Sequence, residues 1–332
     1  NDFLIGASDP GFGACTAAVG NITAALAQAG PGVQPPPVSL LPVFRSFEGG
    51  AGNDLIFGGE GFDRASYANS PAGVSVDLSQ NIAFRDGYGN IDTLFGIEGV
   101  AGTPFADVLI GDDGRNFFQP GRGADVIDGA GGVDVLSYAR LASSIEVNLK
   151  AGFALHASGA RATLANLENV ETGAGDDNLT GDNSDNDLSG GQGADRIAGL
   201  VGRDRLFGGA GDDLLFGNSG DDILNGGAGN DRLIGSFGAD TLIGGAGRDQ
   251  LTGGQDADIF VFSPGSGFDI VRDFAVGVDR IDLVGFGFAS VATLLANAVA
   301  GPNRVDIAFA DGDVARLLGV SADQLDADDF IF

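Results

Sequence analysis

Aspartate recurs every nine residues through the second half of this 332-residue chain, and two positions after each comes an apolar side chain. From Thr172 the sequence can be written in nines without an insertion: TGAGDDNLT, GDNSDNDLS, GGQGADRIA, GLVGRDRLF, GGAGDDLLF, GNSGDDILN, GGAGNDRLI, GSFGADTLI, GGAGRDQLT, GGQDADIFV. The sixth position holds Asp177, Asn186, Asp195, Asp204, Asp213, Asp222, Asp231, Asp240, Asp249 and Asp258, and the eighth is apolar from Leu179 through Leu215 and Leu233 to Phe260. Isolated carboxylate pairs could do acid–base work, but a fixed period assigns these to a metal instead. A six-residue glycine turn lets backbone carbonyls face inward, and a carboxylate every eighteenth residue on the same side completes an oxygen-only site. Such sites suit calcium; with no Cys or His among them, zinc and copper are disfavoured.

Two shorter blocks carry the pattern in degraded form. GGAGNDLIF and GGEGFDRAS place Asp54 and Asp63; GTPFADVLI, GDDGRNFFQ, PGRGADVID and GAGGVDVLS place Asp107, Asn116, Asp125 and Asp134. Pro104, Phe105, Gln119 and Pro120 there replace turn or strand residues, so coils are expected while metal occupancy is doubtful.

Each nine alternates a turn with a short strand. The consensus G-G-x-G-x-D-x-U-x resembles the repeats-in-toxin (RTX) family, and that resemblance implies an all-β fold: a right-handed parallel β-roll with two nonapeptides per coil and calcium between stacked turns. Ten units then make five coils, with four gaps between turns on each side, so about eight calcium ions are expected over 172–261 and a few more over 49–137. Asn186 offers only a neutral oxygen and Asp256 takes a fourth-position glycine slot, so those two sites should be weak or empty.

The composition agrees. There are 17 Lys and Arg against 46 Asp and Glu, a formal charge of −29 that opposes compaction until cations neutralise it. No nucleic-acid partner is expected of such a chain. Hydrophobic residues make up 43%, enough for a core, and 58 glycines call for many turns at positive φ. Cys15 is the single cysteine and His156 the single histidine, in unrelated segments. There is no His-Glu-x-x-His, Gly-x-Ser-x-Gly or P-loop, so no enzyme active site is expected. No stretch has the length of a membrane span, and the N-terminus lacks the order of a Sec signal peptide. With no methionine anywhere, Asn1 is not expected to be an initiation site.

Three regions follow. Residues 1–48 form an Ala/Pro-rich arm, helical in composition over Ala14–Ala29 and extended through GPGVQPPPV. Residues 49–261 form the roll, with repeat blocks at 49–66, 102–137 and 172–261. Between them lie spacers, Ala65–Ala101 and Leu136–Glu171, expected to continue the solenoid without calcium. They are related to each other: Asp63, Tyr67, Val76 and Leu78 recur 71 residues later as Asp134, Tyr138, Val147 and Leu149, and the two copies run into IEGV and LENV. Tyr67 and Tyr138 read as core plugs. Residues 262–332 should form a small β-rich cap with an amphipathic helix near Ala289–Val299. This tail resembles the C-terminal domain of serralysin-type proteases, which implies type I secretion, with Asp328, Asp329, Phe330, Ile331 and Phe332 in the export signal. Asn21-Ile-Thr and Asn178-Leu-Thr match a glycosylation sequon by chance in a chain expected to be bacterial.

The functional expectation is a secreted, calcium-binding structural protein of a surface layer, matrix, fibre or adhesive, able to assemble with itself end to end or through the arm. The alternative is the folding and secretion module of a larger enzyme or toxin. A carbohydrate-binding adhesin is a weaker third reading, since there is no Trp and only three Tyr.

Overall fold

A computed structural model describes residues 3–5, 45–283, 285–286, 291–296, 298–309 and 312–331. The expected Ala14–Ala29 helix, Cys15, the proline stretch, Ala289 and Phe332 lie outside the described residues. The described chain is nearly all β and divides into two compact units at Ala174 and Gly175.

The second unit is the regular one. Its strands alternate between two parallel sheets. Asn178–Thr180, Arg196–Val201, Leu214–Ser219, Arg232–Phe237 and Gln250–Gln255 form one; Asp187–Gln192, Arg205–Ala210, Ile223–Gly229, Thr241–Gly247 and Ile259–Val261 form the other. Register steps by 18 residues, Leu215 opposite Leu233 and Leu224 opposite Leu242, so every coil is two nonapeptides: a parallel β-roll. Alternation along each strand turns the eighth-position side chain inward. Leu179, Leu188, Ile197, Leu206, Leu215, Leu224, Leu233, Leu242, Leu251 and Phe260 are all fully buried, each worth about 1.5–3 kcal/mol of hydrophobic transfer. Glycine is required where turns stack: Gly220 has φ +139°, and a Cβ there would fall 1.6 Å from the carbonyl oxygen of Gly202 one coil earlier.

The sheets do not stop where the nonapeptides do. Phe268–Val271 pairs in parallel with Gln250–Gln255, and Arg280–Asp282 with Ile259–Val261, adding strands in register shifts of 20 and 21 residues. Val314–Leu318 then pairs with Phe268–Val271 and starts an antiparallel run through Arg304–Ala308 to Val299–Gly301. The helix expected over Ala289–Val299 is shorter, Val291–Leu295, and its expected C-terminal end is strand, because β-branched Val299 finds a partner in Asp306.

The first unit repeats this design with interruptions. One sheet is wholly parallel: Arg45–Phe47, Asp63–Ser66, Gly99–Ala101, Phe117–Gln119, Val135–Ser137 and Asn169–Glu171 in that order. In the other, the spacers depart from the regular coil. Each spends its extra residues on a three-stranded antiparallel meander, Ser75–Asp77 with Ile82–Arg85 and Asp92–Phe95, then Ile145–Asn148 with Phe153–His156 and Arg161–Ala165. Tight turns drive this: Asn81 (φ +57°) and Gly152 (φ +69°) close hairpins by donating to Leu78 and Leu149. Tyr67 and Tyr138 are buried beneath the meanders. Phe3–Ile5 pairs in parallel with Leu55–Phe57.

Candidate metal centre

Every sixth-position residue is buried, Asp54, Asp63, Asp107, Asn116, Asp125 and Asp134 in the first unit and Asp177 through Asp258 in the second, none more than 3% exposed. Burying so many carboxylates is costly unless each is paired or holds a cation.

In the second unit they form two ladders. On one side the backbone N–H of Asp177 donates to Oδ1 of Asp195 (2.8 Å), Asp195 to Asp213 (2.7 Å), Asp213 to Asp231 (2.8 Å) and Asp231 to Asp249 (2.8 Å). On the other, Asn186 donates to Asp204 (2.8 Å), Asp204 to Asp222 (2.8 Å), Asp222 to Asp240 (2.9 Å) and Asp240 to Asp258 (2.9 Å). One oxygen of each carboxylate thus stitches adjacent coils. The second oxygen, Oδ2, is buried and without a hydrogen-bond partner in Asp195, Asp204, Asp213, Asp222, Asp231, Asp240 and Asp258.

Where those oxygens point is shown by the first-position glycines. A Cβ on Gly208 would fall 2.2 Å from Oδ2 of Asp213 and 2.6 Å from the carbonyl oxygen of Gly226, one coil on. Gly226 meets Asp231 Oδ2 at 2.3 Å and the Gly244 carbonyl at 2.6 Å, and Gly235 meets Asp240 Oδ2 at 2.1 Å and the Gly253 carbonyl at 2.6 Å. Carboxylate and carbonyl oxygens therefore converge beside each glycine. Among the described residues no three acidic, His or Cys side chains gather at one point, so a site here draws on backbone oxygens for the rest of its shell. That donor set, hard and oxygen-only, fits calcium and not zinc.

The electrostatics agree. Burial first, with neighbouring carboxylates adding, raises the pKa of Asp195 and Asp222 to about 6, of Asp204, Asp213, Asp231 and Asp258 to about 7, and of Asp240 to about 8. Backbone N–H bonds oppose the rise without cancelling it. These groups resist being bare anions and are suited to share a cation.

The ladders extend past the residues expected from sequence. Asp249 donates to Oδ1 of Asp269 and Asp258 to Oδ1 of Asp279, both at 3.0 Å, and burial raises Asp269 to about 8. Their spacings of 20 and 21 hide them from a search in nines.

In the first unit the sites diverge. Asp125 and Asp134 keep the pattern: Oδ1 accepts from Asp107 (2.9 Å) and Asn116 (2.6 Å), Oδ2 is buried without a partner, and burial lifts both to about 7. Asp63 does not. Arg45 takes both its oxygens, at 2.8 and 3.0 Å, and its N–H donates to Glu98. Asp107 is likewise saturated, by the amide and hydroxyl of Thr103 and the amide of Val74. Asp54 donates to Asp92, whose other oxygen accepts from Tyr67 (3.1 Å). Asn116 and Asn186 close their own turns, each accepting from the amide of an aspartate four residues back, Asp112 and Asp182. Glu98 and Glu168, in IEGV and LENV, carry the ladder across the spacers by accepting from Asp63 and Asp134.

The family model for the RTX calcium-binding nonapeptide repeat (4 copies) matches residues 46–65, 101–136, 168–197, 198–233, 225–260 and 234–270. A 71-residue stretch is 39% identical to the endo-1,3-1,4-beta-glycanase EglC of Rhizobium meliloti, covering 21% of this chain and 15% of that protein. Among solved structures, the AlgE6R3 subunit of the Azotobacter vinelandii mannuronan C5-epimerase is 35% identical with a TM-score of 0.31, over 37% of this chain and 78% of that one. The extracellular lipase LipA of Serratia marcescens is 18% identical with a TM-score of 0.34, over 86% of this chain and 42% of that one. The chain thus spans 15% of the glycanase's length and 42% of the lipase's.

Proposed function

Because this chain carries RTX calcium-binding nonapeptide repeats, we propose that it is a secreted protein whose folding is switched on by extracellular calcium, and that the folded roll serves as a structural component outside a bacterial cell. The observation that carries this reading is the pair of ladders of buried carboxylates, each with one oxygen in the backbone network and one directed at the glycine face of its turn.

The residues we assign to calcium are Asp125 and Asp134, Asp177 and Asp195 through Asp258 in the nonapeptides, and Asp269 and Asp279 beyond them. Asp63, Asp107, Asn116 and Asn186 are left out, because their side chains are already engaged by the protein. Extracellular modules bind calcium with dissociation constants of about 10⁻⁴–10⁻³ M, so these sites would be empty in a cytosol and filled outside. A chain carrying a charge of −29 repels itself when they are empty and can be threaded through a type I secretion channel; calcium supplies the neutralisation that lets the turns stack.

The structural role rests on the end-to-end character of parallel coils, whose outer strands offer backbone groups to a further strand. A second reading, the folding module of a longer secreted enzyme, is favoured by one finding: the stretch matched in the glycanase is a small part of a longer protein. Light scattering and negative-stain microscopy of the chain, titrated with calcium and then chelator, separate the two. Filaments or sheets that form with millimolar calcium and dissolve in chelator support the structural role. Compact monomers throughout refute it and favour the module.

A further inference from the structure

Basic side chains are scarce here, 17 against 46 acidic ones, and a guanidinium has carboxylates on every side to choose from. Arg45 holds Asp63, Arg203 meets Asp185, Arg205 meets Asp187 and Arg316 meets Asp306. Several described arginines make no ion pair, and two of these, Arg122 and Arg140, stand together: both line one cavity of about 230 Å³ in the first unit, with Thr103 and Gln119.

Positive charge gathers at this place. Gln119 accepts a hydrogen bond from Arg64 (3.2 Å), so a third guanidinium stands behind the cavity wall. The neighbours register the field: the pKa of Arg64 is lowered by burial and then by Arg140, and that of His156 by burial and then by Arg122. Holding like charges together costs free energy that an anion between them would recover.

The cavity lies where the nonapeptide grammar fails. Pro104 and Gln119 stand in turn and strand positions, and the carboxylate of Asp107 is consumed by Thr103 and Val74. The turn that carries Arg122 keeps the unpartnered carboxylate oxygen of Asp125, and beside it the cavity adds two guanidinium side chains, Arg122 and Arg140.

We infer that this cavity binds an oxyanion, a carboxylate or sulfate group on a ligand no larger than a single sugar acid. A guanidinium fork matches the two oxygens of such a group, and Gln119, whose side-chain oxygen accepts from Arg64, has its amide N–H groups to offer; the Thr103 hydroxyl is already donated to Asp107. The remainder of so acidic a chain repels anions, so binding is confined to this place.

The test uses the full chain loaded with calcium and titrated calorimetrically with sulfate, galacturonate and neutral galactose. Saturable binding of sulfate or galacturonate, with none of galactose, is expected. The double variant Arg122→Gln/Arg140→Gln should weaken it about tenfold or more while circular dichroism and calcium uptake stay unchanged. If that variant folds poorly, Arg122→Lys/Arg140→Lys keeps the charge but loses the fork, and should still bind more weakly. Binding of sulfate alone identifies a free inorganic anion as the ligand type, and binding of galacturonate alone a sugar carboxylate. The inference is overturned if galactose binds as well as galacturonate, if neither anion saturates, or if folded variants bind like the parent.

Discussion

Protons should be able to replace calcium. In a chelated sample the perturbation is pH alone. Seven buried aspartates of the second unit have carboxyl groups raised from 3.8 to between about 6 and 8, first by burial and then by their neighbours. The folded roll therefore keeps protons that the unfolded chain has already released. Its stability is present below about pH 4 to 5 and is lost as pH rises through the raised values, the reverse of a salt-bridged carboxylate. A shift of about three units corresponds to about 4 kcal/mol per group; water near the turns screens this, and about half is a realistic share. Seven such groups give on the order of 10 kcal/mol, comparable to the whole stability of a domain. Chemical unfolding followed by far-ultraviolet circular dichroism, in chelator at pH 5, 6, 7 and 8, should show a steep fall in stability and a largely unfolded chain at pH 8. With millimolar calcium the curve should be far flatter. Equal stability at pH 5 and 8 in chelator, or greater stability at 8, would show that the buried carboxyl groups do not govern folding.

Three other outcomes are expected. Gly208→Ala places a methyl group 2.2 Å from Asp213 Oδ2 and 2.6 Å from the Gly226 carbonyl, so calcium uptake should fall and stability drop by about 1–3 kcal/mol in a calcium-saturated melt. Asp213→Asn should reduce calcium binding measured by equilibrium dialysis, whereas Asp63→Asn should leave it unchanged, because Arg45 already occupies that carboxylate. Leu233→Ala, at a position with no exposure in the middle of the roll, should cost about 2–5 kcal/mol in denaturant unfolding.

Much of the roll is legible in the sequence because one period controls everything: a strict nine-residue register sets turn, strand, inward leucine and buried aspartate together, from Leu179 to Phe260. What escapes is whatever leaves that period. Asp269 and Asp279 sit 20 and 21 residues after their partners, since the connections before Phe268 and Arg280 are longer than a nonapeptide turn. The antiparallel meanders of the spacers were not visible either. Alternation in VSVDL and IEVNL identifies strands but not their direction, which Asn81 and Gly152 decide by closing hairpins. The Arg45–Asp63 pair is hidden for another reason: Arg45 belongs to a strand, Arg45–Phe47, that precedes the repeat grammar and reveals itself only by pairing with Asp63–Ser66. Asp107 still looks like a ligand in sequence, and only the folded position of Thr103 shows its oxygens taken.

On the function proposed above, the folded roll depends on cations held at the carboxylate ladders. The most direct test counts bound calcium by equilibrium dialysis at pH 7.5 while circular dichroism is recorded on the same samples. The chain should be largely unfolded in chelator and gain β structure cooperatively as several ions bind, about eight or more over 172–283. A chain that is fully folded in chelator at that pH, or that binds one or two ions with no change in structure, would contradict it.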